Sequence, residues 1–126
     1  MNTPEDLLYT QEHEWIRKVG DNRVRIGITD YAQDQLGDVV YVELPETGRE
    51  VAKDDLVAEI ESTKSVGEVY APFPGTIAAA NTAVADSPEL INTSPYEEGW
   101  LVEIDLSGEF SQDGLFDAAS YTDLTE

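Results

Sequence analysis

The residue with the clearest chemical potential is Lys64, in the stretch AEIESTKSVGEVYAPFPG that runs from Ala58 to Gly75. The chain has 7 Lys and Arg residues against 27 Asp and Glu residues, and no cation follows Lys64. The runs on either side of this lysine are strand-like, which predicts that Lys64 lies at the tip of a hairpin. An exposed tip suits covalent modification of the amine, because a modifying enzyme can reach it. On residue type alone, a solvated surface lysine is the favoured interpretation.

Other reactive centres find less support in the sequence. A Schiff-base lysine needs a desolvated pocket to lower its pKa, and a polar hairpin tip offers the reverse. The chain has no cysteine, which excludes thiol catalysis and disulfides, and its single histidine, His13, disfavours a histidine-based metal site. Lys18 and Lys53 are the other lysines that could be modified. Neither of them has both a strand–turn–strand frame and the surrounding residues of the Lys64 stretch.

The charge of the chain restricts its partners. The formal net charge is −20, and such a surface repels nucleic acid, whose phosphates need clustered Lys and Arg. The acidic residues are spread along the whole chain, which favours adaptation to high salt, where screening tolerates dense like charge. Steering of a basic partner is the alternative explanation. The apolar alternation of the strand-like runs argues against disorder.

The sequence also indicates a compartment. No apolar run approaches the length of a membrane span. The N-terminal stretch MNTPEDLLYT is acidic and lacks the basic and apolar regions of a secretory signal. We therefore expect a cytoplasmic protein without membrane association, and the lack of cysteine fits a reducing compartment.

Short alternating runs predict a mainly β fold. EHEWIRKV and RVRIGI are predicted to form a hairpin around GDN, and DVVYVEL, LVAEIEST, SVGEVYA, TIAAAN and WLVEIDL are predicted as further strands. DYAQDQLG predicts a short helix that Asp30 caps, with Gln33 completing a capping box and Gly37 ending the helix. DSPELINTSPYEEG is predicted as a polar loop with one helical turn. DGLFDAASYTDL predicts a terminal helix with Leu115, Phe116 and Ala119 at helical spacing.

Four stretches of the sequence resemble the H proteins of the glycine cleavage system, which carry lipoate on one lysine. They are YTQEHEW, GITDYAQDQLGDVVYVELPETG, ESTKS followed by YAPFPG, and NTSPYEEGWLVEI. Any one short motif is weak, whereas four in the family's order over nearly the whole chain are specific. The resemblance implies a single lipoyl-carrier domain over residues 1–126. Its fold would be a lipoyl-domain-like barrel-sandwich hybrid of short antiparallel strands with small flanking helices, including a C-terminal helix.

The resemblance also implies the site residues. Lys64 would carry lipoate in an amide bond, and Glu61 matches the acidic residue that the family places just before the lysine. Gly48 and Gly75 match glycines that shape the hairpin for the attaching enzyme. From the residues themselves, each glycine is expected to close a turn that needs a positive φ, and turn geometry alone is the alternative role.

By the same resemblance the protein is a non-catalytic carrier, because the bond chemistry belongs to the cofactor. The implied partners are a pyridoxal-phosphate glycine decarboxylase, a folate-dependent aminomethyltransferase, a dihydrolipoyl dehydrogenase and a lipoate-attaching enzyme. The arm loaded with an aminomethyl unit would fold back near EHEW, where Glu14 is a candidate contact for the new ammonium and Trp15 a candidate for the groove wall. An ordinary exposed acid is the alternative for Glu14, and His13 is expected to be structural. We expect a monomer, because a carrier gains little from burying its tip.

Several alternatives compete with this interpretation. A biotinyl carrier frames its lysine with methionines, and the only methionine here is Met1. Lipoyl domains of 2-oxo acid dehydrogenases lack the GITDYAQDQLG block. A relay protein that donates lipoate to other enzymes would use the same Lys64 and stays open, as does a binding module in which Lys64 is never modified. Thr63 and Ser65 depart from the small or branched apolar residues that the family commonly has there, which affects only the preference of the attaching enzyme.

Overall fold

The computed structural model describes residues 2–125, and within them the chain forms strands and short helices. The strands are β1 (Leu8–Tyr9), β2 (Glu14–Lys18), β3 (Arg23–Ile28), β4 (Val39–Glu43), β5 (Glu50–Val51), β6 (Leu56–Ser62), β7 (Val66–Tyr70), β8 (Gly75–Ala80) and β9 (Val102–Leu106). The helices are α1 (Asp30–Leu36), α2 (Thr82–Asp86), α3 (Leu90–Thr93) and α4 (Ala118–Thr125).

The strands pair into two antiparallel sheets. The larger sheet has six strands in the order β1-β2-β3-β9-β8-β5, and the smaller has three in the order β4-β6-β7. Within the described residues neither sheet closes on itself, so the molecule is an open sandwich rather than a barrel. The predicted mainly β class, with antiparallel strands and a C-terminal helix, is confirmed.

The core lies between the two sheets. Ile26 of β3 and Ile104 of β9 belong to the same apolar cluster as Val42 of β4 and Ile60 of β6. Successive side chains of a strand point to opposite faces, so each strand contributes its inner residues to this cluster. Because each fully buried aliphatic side chain contributes about 1.5–3 kcal/mol, the shared cluster holds the smaller sheet against the larger one.

The helix α1 forms where it was predicted, but its cap is one residue earlier. The hydroxyl oxygen of Thr29 accepts a hydrogen bond from the N–H of Ala32 at 3.1 Å, so Thr29 and not Asp30 is the N-cap. Asp30 is the first helical residue, and its carboxylate accepts a hydrogen bond from the Gln33 side chain at 2.7 Å. Gly37 ends the helix with a φ of 86°, which agrees with the predicted glycine stop.

The terminal helix α4 starts later than the sequence predicted. Leu115 and Phe116 precede it, and its buried residues are Ala118 and Tyr121. Phe116 exchanges backbone hydrogen bonds with Tyr9 in an isolated antiparallel bridge, at 2.9 Å in each direction. The backbone of Phe116 is therefore occupied by strand-like pairing and is unavailable to the helix.

The shortest elements escaped prediction. β1 and β5 have two residues each, which is too short for an alternation to register. The helix α2 was also missed, although Asn81 caps it by accepting a hydrogen bond from the N–H of Ala83 at 3.2 Å. The predicted helical turn in the polar loop is α3. Among the described residues no helix has the length and apolarity needed to span a bilayer.

Candidate functional site

Lys64 lies at the tip of the hairpin between β6 and β7, and its side chain is exposed. The N–H of Ser62 donates to the carbonyl of Ser65 at 2.8 Å and closes the tip. The hydroxyl oxygen of Ser62 accepts hydrogen bonds from the N–H groups of Lys64 at 3.3 Å and of Ser65 at 3.0 Å. These local bonds fix the backbone of the tip. The predicted position of Lys64 at a hairpin tip is confirmed, and its modification stays a prediction.

The hairpin is braced by the C-terminal end of α1. The N–H of Thr63 donates to the carbonyl of Asp38 at 3.0 Å, which ties the tip to the turn after the helix. Leu36 packs onto Gly67 of β7, where an added Cβ would lie 2.8 Å from the Leu36 Cδ1. The tip that carries Lys64 is therefore supported from the side by α1.

The turn between α1 and β4 is itself held by Asn92 from α3. The side-chain amide of Asn92 donates to the carbonyl of Gly37 at 2.9 Å. The side-chain oxygen of Asn92 accepts a hydrogen bond from the N–H of Val39, also at 2.9 Å. One side chain thus satisfies backbone groups on both sides of the turn, which makes it a stable support for the hairpin.

Glu61 lies on the outer face of the smaller sheet, three positions before Lys64. Its cross-strand neighbours are Tyr41 on β4 and Val66 on β7. All three side chains are exposed. The structure therefore brings Glu61 and Lys64 onto one accessible hairpin.

Gly48 and Gly75 lie with the larger sheet, away from the strands of the Lys64 hairpin. Gly48 precedes β5 with a φ of 92°, and its N–H donates to the carbonyl of Ile77 at 2.8 Å, so a positive φ does explain this glycine. Gly75 begins β8 without a positive φ. An added Cβ there would overlap the carbonyl oxygen of Asp105. The expected positive φ is thus wrong for Gly75, and close approach of β8 to β9 requires the glycine instead.

Glu14 is buried, with only 2% of its surface exposed. One carboxylate oxygen accepts a hydrogen bond from the N–H of Tyr70 at 2.6 Å, and the other lies 3.3 Å from the hydroxyl of Thr10. Burial raises the pKa of Glu14 to about 8, against the opposing effect of these two hydrogen bonds. The 2% exposure shows that the alternative of an ordinary exposed acid is wrong, and burial favours the neutral form of Glu14.

The neighbours of Glu14 in the EHEW stretch are structural. Trp15 is fully buried, and its indole N–H donates to the carbonyl of Pro95 at 2.9 Å, so Trp15 is a core residue rather than a groove wall. His13 has a φ of 68°. Its Nδ1 lies 2.8 Å from the hydroxyl of Tyr121, and burial lowers the pKa of His13. The structural role expected for His13 agrees with this contact to α4.

An open cleft of about 410 Å³ is lined in part by Thr10, the residue whose hydroxyl lies 3.3 Å from the Glu14 carboxyl group. Its lining includes Thr10 and Glu12 from the EHEW side, Lys53 from the turn before β6, and the apolar side chains of Phe73 and Leu115. This cleft was not predicted from the sequence, because it is assembled from segments far apart in the chain. Among the described residues no group of three or more His, Cys, Asp or Glu side chains is placed to hold a metal ion.

Comparison with known proteins gives a consistent result. The family model described as glycine cleavage H-protein matches residues 7–126. The glycine cleavage system H protein of Micrococcus luteus is 54% identical over 123 residues, covering 97% of this chain and 96% of the relative. That of Nocardia farcinica is 52% identical over 123 residues, covering 94% and 93%. A crystal structure of a glycine cleavage system H protein from Mycobacterium marinum superposes with a TM-score of 0.86 at 40% identity, covering 96% of this chain and 97% of that one.

Proposed function

Because this chain belongs to the glycine cleavage H-protein family, we propose that it is a lipoyl carrier with lipoate in an amide bond to Lys64. The observation that carries the proposal is the placement of Lys64 on an exposed hairpin tip with a fixed backbone. A tethered group needs a rigid origin and a flexible stem, and the hairpin and the lysine side chain supply them. The proposal includes a single carrier domain over residues 1–126, supported by the core cluster that both sheets share.

The residues around Lys64 fit the attachment of an acyl group. The side chain is exposed, so Nζ is accessible to an attaching enzyme. Nζ would form the amide with the carboxyl carbon of an activated lipoyl donor. The bond from that carbon to the leaving group breaks with its electron pair, and the ammonium releases two protons. When bound, the lipoyl group supplies a disulfide for redox and group-transfer chemistry, and the protein supplies position.

The proposed partners are those of the glycine cleavage reaction. They are a pyridoxal-phosphate glycine decarboxylase, a folate-dependent aminomethyltransferase and a dihydrolipoyl dehydrogenase. Tethering at Lys64 would make each transfer a local encounter, since a short linker raises the effective concentration of the attached group to the millimolar range. No side chain of this protein is needed for bond chemistry in this scheme, so we propose that it is not itself an enzyme.

Glu14 remains our proposed contact for the ammonium of the aminomethyl-loaded arm. Its hydrogen bond to Thr10 supports this role, since Thr10 lines the open cleft and connects it to the buried Glu14 carboxyl group. Glu14 would have to ionise to pair with an ammonium. An approaching cation favours the charged carboxylate and lowers its pKa, so pairing and ionisation would occur together.

The experiment that tests the proposed function is the intact mass of protein isolated from its native host, followed by peptide mapping. We expect a mass increase of one lipoyl group on the peptide that contains Lys64, and its loss in Lys64→Arg. Lys18→Arg and Lys53→Arg are the matched controls and should keep the modification. An unmodified Lys64, in cells whose other lipoyl proteins are modified, would show that the protein is not a lipoyl carrier.

A further inference from the structure

Exposed apolar side chains concentrate beside Lys64. Among the described residues the large hydrophobic side chains that are exposed are Val19, Val40, Tyr41, Val66 and Leu124. Val40 and Tyr41 lie on β4 and Val66 begins β7, with exposed fractions of 56%, 52% and 54%. Single exposed apolar residues are ordinary, whereas neighbouring ones mark interaction surfaces.

The register of the smaller sheet turns these residues into an ordered surface. Tyr41, Glu61 and Val66 are cross-strand partners, so their side chains share the outer face. The next outward-facing row consists of Glu43, Glu59 and Glu68, which are also direct partners. We call these six residues the outer face. It has an apolar flank next to Lys64 and a row of carboxyl groups behind it.

The carboxylates of the outer face form no ion pair within 4.0 Å among residues 2–125, whereas several carboxylates of the larger sheet do. All the ion pairs within 4.0 Å in residues 2–125 use Arg17, Arg23 or Arg25, which lie on β2 and β3 of the larger sheet. Arg49 borders Glu43 and Glu59, but its guanidinium donates to the carbonyl of Leu56 at 3.2 Å.

Like charges directly opposite each other destabilise a sheet. The smaller sheet therefore keeps an unfavourable row of acids that a basic partner would neutralise.

We propose that the outer face is the docking surface for the enzyme that attaches lipoate to Lys64, and that this enzyme presents an apolar centre rimmed by Lys and Arg. The inference rests on the proposed function. The attaching enzyme must bring its active site to Nζ itself, so its footprint has to cover the strands that flank the tip. Enzymes that act at the far end of the attached arm have no such need. The charge of the outer face then selects a basic partner surface.

The test measures lipoate attachment to the unmodified full-length chain by a lipoate ligase, with ATP and lipoate, over a range of chain concentrations. The first variant combines Tyr41→Thr with Val66→Thr, which keep strand propensity but remove apolar area. We expect KM for the protein substrate to rise about tenfold with little change in kcat, because the amine itself is unaltered. The second variant combines Glu43→Gln with Glu68→Gln and should flatten the dependence of KM on salt.

A matched control combines Val19→Thr with Asp21→Asn, which remove an exposed apolar group and a charge near the β2–β3 turn. Its KM and salt dependence should equal those of the unaltered chain. Oxidative footprinting of the Lys64→Arg chain gives a second readout, and the ligase should protect Tyr41. Unchanged KM in the first outer-face variant, unchanged salt dependence of KM in the second, or no protection of Tyr41 would each overturn the docking surface. Failure of the ligase to modify Lys64, together with an unmodified Lys64 in protein from the native host, would instead overturn the proposed function.

Discussion

Gly37 lies directly against the aliphatic stem of Lys64. A Cβ added to Gly37 would be 3.3 Å from Cε, 3.7 Å from Cδ and 3.8 Å from Cγ of the lysine. Gly37 also has a φ of 86° and a ψ of −160°, a backbone conformation that is almost confined to glycine. This glycine therefore ends α1 and leaves room for the aliphatic stem of the Lys64 side chain.

The first prediction concerns this contact. Gly37→Ala should displace the stem of Lys64, because the new methyl group would take part of its space. We expect lipoate attachment to slow about tenfold, as small displacements of a reacting group can do. The lysine methylene signals in ¹³C NMR give a direct readout, and those of Lys64 should become more mobile in the variant.

Gly114→Ala is the control for backbone strain. Gly114 also has a positive φ, 81°, but a Cβ there would meet no atom within 4 Å. This variant should lose some stability while its attachment rate and Lys64 signals stay unchanged. Equal effects of the two variants on attachment would show that strain, and not contact with the lysine, explains Gly37→Ala.

The second prediction compares the stability lost on substituting Gly75 and Gly48, two glycines for which the sequence predicted the same turn role. Gly75→Ala should reduce the free energy of unfolding by about 3 kcal/mol, because the methyl group would overlap Asp105 and approach Ile104 across the β8–β9 pair. Gly48→Ala should cost only about 1–2 kcal/mol, since it meets no neighbour and adds backbone strain alone. Denaturant unfolding of both variants measures this difference. A larger loss for Gly48→Ala would contradict the packing argument.

The sequence predicted the hairpins because their signal is local. The strands around Lys64 alternate, and the helix α1 carries its own stop at Gly37. The role of Gly75 was not predictable, since its restriction comes from Asp105, thirty positions away in the chain. The burial of Glu14 was missed for the same reason, because its partner Tyr70 belongs to another sheet. The alternation of apolar residues predicts which face of a strand is buried. It does not predict which distant backbone segment packs against that face.

The third prediction follows from the buried carboxyl group of Glu14. Its pKa is about 8 in the folded protein and near 4.5 when exposed, so between these values the folded state binds more protons than the unfolded state. The free energy of unfolding contributed by Glu14 should therefore fall as pH rises from 4.5 to 8 and level off above. Glu14→Gln keeps the neutral form, and at pH near 9 it should be more stable than the unaltered protein by on the order of 3 kcal/mol.

Glu12→Gln is the matched control, because Glu12 is exposed and two positions away. It should retain the fall in stability with rising pH in denaturant unfolding, over a range shifted slightly to lower pH, because the charge of Glu12 adds to the raised pKa of Glu14. If the Glu14→Gln and Glu12→Gln curves had the same slope across this range, Glu14 would not titrate with a raised pKa in the folded state.

The fourth prediction tests Glu14 as the contact for the loaded arm. Glu14→Gln should shorten the lifetime of the aminomethylated protein, because an amide cannot form an ion pair with the ammonium. The ratio of the two lifetimes should grow as pH rises towards 8, since ionisation of Glu14 then needs less free energy. The measurement is the decay of the loaded protein by mass spectrometry, with Asp21→Asn as the control, because Asp21 is an exposed acid in the β2–β3 turn and does not line the cleft. A ratio of one at every pH would remove Glu14 from this role.

The last prediction concerns the charge of the whole chain. The acidic residues, with a net charge of −20, repel one another most strongly in dilute buffer. Added salt screens this repulsion, because the Debye length falls from about 10 Å at 0.1 M to about 3 Å at 1 M. The melting temperature should therefore rise with KCl over this range, and partner turnover should require high salt.

Glu59→Gln, in the middle of the acidic row of the outer face, should raise stability at low salt by about 0.5 kcal/mol and weaken the salt response. Asp21→Asn, in the turn between β2 and β3, should change it less. Full stability and activity in dilute buffer would count against adaptation to high salt and favour steering of a basic partner as the reason for the acidic surface.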